Sequence, residues 1–433
     1  MAGQVGRTAV PLEDRLKKRG KAAPLAPFRV LDLSDEKGFL CGRLLADMGA
    51  DVILTEPPGG HPARSSGPFY QDVPDRERSL LWFAYNTSKR SITLNIEDPD
   101  GQSLLKRLAA DAHFLVESYP PGYLDSLGLG YSSLRTVNPS LVMASVTPFG
   151  QTGPYRGYKA TDIVAVATGG LLFLGGDETA PPVRVRPAQA YLHAATQAAV
   201  GALIAHYHRQ RTGLGQHVDV SMQAAIAAGM GVGGMHQAWD LNRTVTPRAG
   251  IPYQRNPPLD YGPRGSELEP CKDGYMVAGR IRVSPPAILE WSSQEGVGTE
   301  LLDHKWSAPD VAQLPEAERQ EVLEAMRQLF MLHTRKELYH GAIQRRIMWH
   351  PVNTAQDLLE NEQLQARGFF VPVEHPELGG SFLYPGAPFL CTEMECLPRH
   401  RAPRIGEHNE EVYCKELGFS AREMAAWKAQ GAI

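Results

Sequence analysis

Phe28-Arg-Val-Leu-Asp-Leu33, residues 38–48 and Ala50-Asp-Val-Ile-Leu-Thr-Glu56 decide the fold. The first and third runs are short and dominated by Val, Ile and Leu, as strands buried on both faces require. The run between them places its apolar residues along one face of a helix. Together they read as a βαβ opening. No G-x-G-x-x-G turn joins the first strand to the helix, so a dinucleotide-binding reading is poor.

Ser91-Ile-Thr-Leu-Asn95, Phe114-Leu-Val-Glu117 and Leu141-Val-Met-Ala-Ser145 continue the strands, with helices such as 101–110 between them. Alternation of this kind predicts an α/β sheet of parallel strands. A long, Ala-rich helix is expected over 189–210, with a stripe through Ala195, Ala199, Leu203 and Tyr207. Gly213 and Gly215 close it before a strand at His217-Val-Asp-Val-Ser221. Composition shifts near 245, and the Pro-, Gly-, Tyr- and Arg-rich stretch that follows reads as a linker. A second lobe comes next, with a strand at 274–279 and helices over 316–336. Pro385-Gly-Ala-Pro-Phe389 and Ile405-Gly-Glu-His408 look like a return to the first lobe. The expected division is an extension at 1–27, a large domain at 28–245 and 386–433, a linker at 246–265 and a small domain at 266–385.

At 433 residues the chain exceeds what one core usually serves. Its 44 basic and 48 acidic residues nearly balance, with no basic tract for nucleic acid and no polybasic amphipathic helix for a membrane surface. No apolar run reaches the ~18–20 residues of a spanning helix. The first residues lack a signal-peptide core. Five cysteines without metal-type spacing point to reduced thiols, a cytoplasmic protein and no metal site.

Several motifs, in order, resemble those of family III CoA-transferases of the formyl-CoA transferase and carnitine CoA-transferase type. They are Leu45-Ala-Asp-Met-Gly-Ala-Asp-Val-Ile53 with Glu56-Pro-Pro-Gly-Gly60, Tyr85-Asn-Thr-Ser-Lys-Arg-Ser-Ile-Thr-Leu-Asn95, and Pro121-Gly-Tyr-Leu-Asp-Ser-Leu-Gly-Leu-Gly130. Phe149-Gly-Gln-Thr-Gly-Pro154, Arg211-Thr-Gly-Leu-Gly-Gln216, Gly368-Phe-Phe370 and Gly386-Ala-Pro-Phe389 complete the set. The resemblance implies a Rossmann-like large lobe built from both chain ends, an inserted small α/β lobe, and two chains threaded through each other as an interlocked dimer. It implies a coenzyme A thioester as substrate, with no bound cofactor. It also places the family's nucleophilic aspartate on Tyr191, at the end of Pro181-Pro-Val-Arg-Val-Arg-Pro-Ala-Gln-Ala-Tyr191. A phenol cannot stand in for a carboxylate that must form a mixed anhydride and then a thioester with CoA.

On the same resemblance Lys89 and Lys159 fall where the family places CoA-contacting lysines. Arg90 beside Lys89 also suits the phosphates, and Met222 is taken with them as a candidate contact. Other positions depart from the family pattern. Ser126 replaces an arginine, Ser118-Tyr119 replaces Asn-Phe, and Asp35 and Glu36 would repel a negative ligand. The family's glycine-rich loop has only 261–265 as a substitute. Asp162, Asp177 and Glu178 are the nearest carboxylates in sequence: Asp162 reads as structural and the other two as an exposed turn. The family's racemase branch is excluded, because its histidine and aspartate would fall on Thr161 and Tyr191. His193 would face away from Tyr191 on the helix.

The chain therefore resembles the aspartate-lacking subunit of a succinyl-CoA:benzylsuccinate-type transferase, which works with a homologous subunit that carries the aspartate. Such a complex moves CoA from succinyl-CoA to a dicarboxylic acid such as an aryl-succinate. One alternative is a homodimeric isomerase, hydratase or lyase acting on acyl-CoA through a shifted site. A non-enzymatic regulator ranks last. Trp82, Tyr85, Trp239, Tyr253 and Tyr261 are possible walls of an aromatic pocket and equally possible core residues.

Overall fold

The computed structural model describes residues 23–176, 180–232, 235–245, 268–278 and 285–433. Its contacts divide them into two units. The first holds the described residues up to Gly175 together with Pro182–His236 and Glu362–Ile433, and the second holds Gln237–Asn361 with the flank of 176–181.

The first unit is built on six parallel strands: β1 (Arg29–Leu33), β2 (Asp51–Glu56), β3 (Arg90–Thr93), β4 (Phe114–Glu117), β5 (Val142–Thr147) and β6 (His217–Ser221). They lie in the order β3-β2-β1-β4-β5-β6, the doubly wound arrangement expected from the sequence. Val30 pairs with Val52 on one side and Phe114 on the other, so the strand order reverses beside β1.

Alternation along the strands sends Val30, Val52, Val116, Val142 and Ala144 to one face. There they meet helices α1 (Phe39–Asp47), α5 (Gln189–Thr212) and α6 (Met222–Val232). Leu31, Ile53, Leu115 and Met143 go to the other face, against Leu104, Leu105 and Leu108 of α2 (Pro99–Ala110). Burial of both faces explains why these strands read as continuous apolar runs rather than alternating ones.

α5 approaches the sheet through Ala194, Ala198, Ala202 and Ala205, all buried. Small side chains allow that approach: a Cβ on Gly201 would lie 2.7 Å from Val218 Cγ1. Arg209 near its end is drawn inside, donating to the His113 carbonyl at 2.7 Å and lying over the Phe114 ring. The turn after the helix presses on the residue just before β5, where a Cβ on Gly215 would fall 2.0 Å from the Leu141 carbonyl oxygen. Two short helices matter below: α3 (Tyr131–Val137), which precedes β5, and α4 (Asp162–Thr168), which follows it.

The C-terminal part of the chain packs on this unit. Tyr413 Oη donates to the Thr93 carbonyl at 2.8 Å, and Trp82 Nε1 donates to the Pro403 carbonyl at 3.1 Å. An antiparallel hairpin of β10 (Phe370–His375) and β11 (Gly380–Pro385) also clusters here, although the expected boundary assigned it to the small domain. Its inward residues Val373 and Tyr384 pack with Phe39 and Trp82, and Arg43 donates to the Pro385 carbonyl at 2.8 Å.

The second unit has a three-stranded antiparallel sheet of β7 (Leu268–Cys271), β8 (Gly274–Val277) and β9 (His350–Pro351). Helices α7 (Pro285–Gln294), α8 (Glu316–Leu332) and α9 (Arg335–Arg345) enclose Trp291, Phe330 and Trp349. The helices expected over 316–336 divide at Thr334, which caps α9 in a capping box with Glu337. No described helix is long and apolar enough to cross a membrane.

Candidate active site

In a doubly wound sheet, ligands bind beyond the carboxyl ends of the strands where the strand order reverses. Here that point lies between β1 and β4, and the loops that follow them are clasped together. The Asp35 backbone amide donates to Ser118 Oγ at 2.8 Å, and that hydroxyl donates to Asp35 Oδ1 at 2.7 Å. The Lys37 ammonium closes on the other oxygen of the same carboxylate. Below the clasp, Glu117 Oε2 accepts the Tyr119 amide at 2.7 Å. Glu117 is 3% exposed, and burial pushes its carboxyl up to about 7.

Tyr191 lies in the first turn of α5, half-buried. Burial raises its phenol, against a hydrogen bond from the Asp162 backbone amide, and the nearby Asp35 and Glu36 carboxylates raise it further. Those two carboxylates also act on His61, whose imidazole is lowered mainly by burial and which lies 5.1 Å from the Phe39 ring. Tyr191, His61 and the acidic loop therefore converge near the switch point. The sequence marked Asp35, Glu36 and Tyr191. His61 was missed, since nothing local to Gly60-His61-Pro62 announces it.

Asp162, one of the carboxylates weighed as a replacement nucleophile, is committed to structure. Its Oδ1 accepts the Ala190 amide at 2.7 Å, and its Oδ2 pairs with Arg184 at 2.9 Å. The residue preceding α5, Ala188, has no capping side chain. Asp162 therefore caps the helix from α4. Asp177 and Glu178 lie outside the described residues. His193 borders Gly229 of α6, where a Cβ would lie 3.7 Å from its ring.

The expected phosphate contacts scatter. Lys89 is buried, and its ammonium donates to Asp32 Oδ2 at 2.8 Å, the Phe39 carbonyl at 2.9 Å and Asn86 Oδ1 at 2.9 Å. An ammonium has three protons, so none is left for a phosphate. Arg90 is tied to Asp51 at 2.7 Å, Glu411 at 2.9 Å and Glu416 at 2.5 Å. Met222 is fully buried in the core beneath α6. Only Lys159 of the four is exposed. Trp82 is core, Tyr85 is half-buried and Trp239 is exposed, while Tyr253, Tyr261 and the loop 261–265 lie outside the described residues.

The sequence profile described as CoA-transferase family III matches residues 25–409. The chain belongs to this family. Among its family III relatives is succinyl-CoA:(R)-benzylsuccinate CoA-transferase subunit BbsE of Thauera aromatica, 36% identical over 416 residues, covering 94% of this chain and 97% of that one. Succinyl-CoA–D-citramalate CoA-transferase of Chloroflexus aurantiacus is 31% identical, with 95% of this chain and 98% of the relative covered. A family III fold is also seen in the crystal structure of a CAIB/BAIF family protein from Brucella suis. It superposes with a TM-score of 0.78 at 26% identity, covering 92% of this chain and all of that one. The substrates of the family III transferases are CoA thioesters, and no His, Cys, Asp and Glu cluster suited to a metal occurs among the described residues.

Proposed function

We propose that this chain is the nucleophile-lacking subunit of a two-subunit family III CoA-transferase. A homologous partner chain supplies the aspartate, and the pair moves CoA from succinyl-CoA to a dicarboxylic acid such as an aryl-succinate. The observation that carries this reading is Tyr191 at the family's aspartate position, with its neighbour Asp162 committed to capping α5. The relative from Thauera aromatica, itself named as a subunit of a benzylsuccinate enzyme, supports the same assignment.

The chemistry explains why a partner is required. A carboxylate attacks the acyl-CoA carbonyl and expels the thiolate. The thiolate then attacks the enzyme's own carbonyl carbon in the mixed anhydride, releasing the donor acid as a carboxylate and leaving an enzyme–CoA thioester. A phenol held above its ordinary range beside Asp35 and Glu36 is neutral and can support neither step. An interlocked pair allows one chain to lose its own nucleophile while completing its partner's site. Lys159, exposed after β5, is the basic residue left to approach the CoA phosphates. The free thiols Cys41, Cys271, Cys396 and Cys414 fit a reducing, cytoplasmic setting.

Native mass spectrometry of the protein purified gently from its source tests the assembly. A complex with a second, distinct chain of similar mass is expected. A homodimer that transfers CoA unaided would overturn the proposal.

A further inference from the structure

Glu117 and Ser145 are paired in register on neighbouring strands β4 and β5, so their side chains stand side by side on one face of the sheet. His217, at the start of β6, pairs with Met143, two residues before Ser145 and on that same face. Its Nε2 lies 2.7 Å from Ser145 Oγ. Ser145, adjacent to Glu117 in register, also acts to hold the Glu117 carboxyl down against burial. Glu117 and Ser145 are buried, whereas His217 is open to solvent and stacked on Tyr131 of α3 at 5.4 Å.

We infer that Glu117, Ser145 and His217 form a proton-sharing relay from the buried floor of the switch-point crevice to solvent. In one state the Glu117 carboxyl donates to Ser145 Oγ, and the Ser145 hydroxyl donates to neutral His217 Nε2. In the other, one proton has passed from Glu117 to Ser145 as the Ser145 proton moved to His217, leaving a carboxylate and an imidazolium. No co-reactant is needed. The exchange moves charge between the crevice floor and the solvent-facing ring while the strands stay closed.

The surrounding groups fit that exchange. Around Glu117 stand Lys37 and Asp35 from the clasped loop and the Tyr119 amide. Around His217 stand Asp219 and Asp125, both favouring imidazolium, with Asp219 held by the Gln151 amide at 2.9 Å. Burial moves Glu117 up to about 7 and His217 downward, bringing two groups of different ordinary acidity toward each other.

The test is the titration of the His217 ring in the full chain by histidine-selective NMR, assigned by loss of its signal in His217→Asn. Glu117→Gln and Ser145→Ala should each lower the His217 midpoint by roughly one pH unit. The double variant should lower it no further than either alone. Ser145→Thr keeps a hydroxyl, so it should titrate as the parent does and stands in if the alanine variant does not fold. A midpoint that moves with Glu117→Gln but not with Ser145→Ala would mean coupling through space and overturn the relay. So would a midpoint that moves with neither, or parental coupling lost in Ser145→Thr. This readout does not depend on the assignment of a partner subunit.

Discussion

Asp162 Oδ1 lies 2.7 Å from the backbone amide of Ala190, one residue ahead of Tyr191. The carboxylate weighed as a replacement nucleophile holds the end of the helix that presents Tyr191. Its second oxygen lies 2.9 Å from Arg184 in an ion pair, without a hydrogen bond. On the proposed assignment, this leaves the site without a carboxylate ready to attack an acyl group.

Removing that cap should loosen the helix. Asp162→Ala is expected to cost about 1–2 kcal/mol, read by urea unfolding, with Asp162→Asn recovering much of it. No loss of stability in the alanine variant would show that the α5 terminus is held by other contacts.

Lys89 is expected to behave as a core residue. Lys89→Met leaves the Asp32 carboxylate buried and unpaired, at a cost of about 3–5 kcal/mol. Adding Asp32→Asn keeps an acceptor for the Ser34 hydroxyl, 2.6 Å from Asp32 Oδ1, and should restore most of the loss. Calorimetry of the two variants decides: a Lys89→Met protein as stable as its parent would contradict the buried pair.

Stability should depend on pH through Glu117. Its folded-state carboxyl is raised from the ordinary value of 4.5 to about 7, chiefly by burial. The folded state therefore holds this proton more tightly than the unfolded chain. Its contribution is complete below the ordinary value, declines as the pH rises toward about 7, and is flat above that. The displacement corresponds to about 3 kcal/mol. Glu117→Gln should thus gain stability relative to the parent between pH 5 and pH 8 in urea titrations. A gap between the two proteins that does not change with pH would rule out a raised carboxyl.

Restoring the aspartate alone should fail. Tyr191→Asp places a carboxylate beside Asp35 and Glu36, which disfavour a further negative charge. The variant by itself is expected to transfer no CoA from succinyl-CoA, as followed by chromatography of the thioesters. Activity in that variant would mean that a single residue separates this chain from a self-sufficient enzyme.

The parallel sheet was legible because doubly covered strands carry apolar runs that need no knowledge of their partners. The strand at 217–221 and the helix starting at Gln189 fell where pattern and glycine placed them. The hairpin at 370–385 was missed because Pro372 interrupts the pattern; it is tolerated in a two-stranded ribbon, where it faces Leu383. Site residues were harder. Lys89 looks like a phosphate ligand until Asp32, 57 residues away in sequence, is seen to claim it. Likewise the separation of 28 positions from Asp162 to Ala190 hides the cap at the start of the Tyr191 helix. Long-range polar pairing leaves no local periodicity.

The most direct measurement is intact-mass spectrometry of both chains after the purified complex is incubated with succinyl-CoA and quenched. A CoA adduct on the partner chain, with the mass of this chain unchanged, is the expected result. A CoA adduct on this chain, at Tyr191, Asp162 or any other residue, would contradict the account.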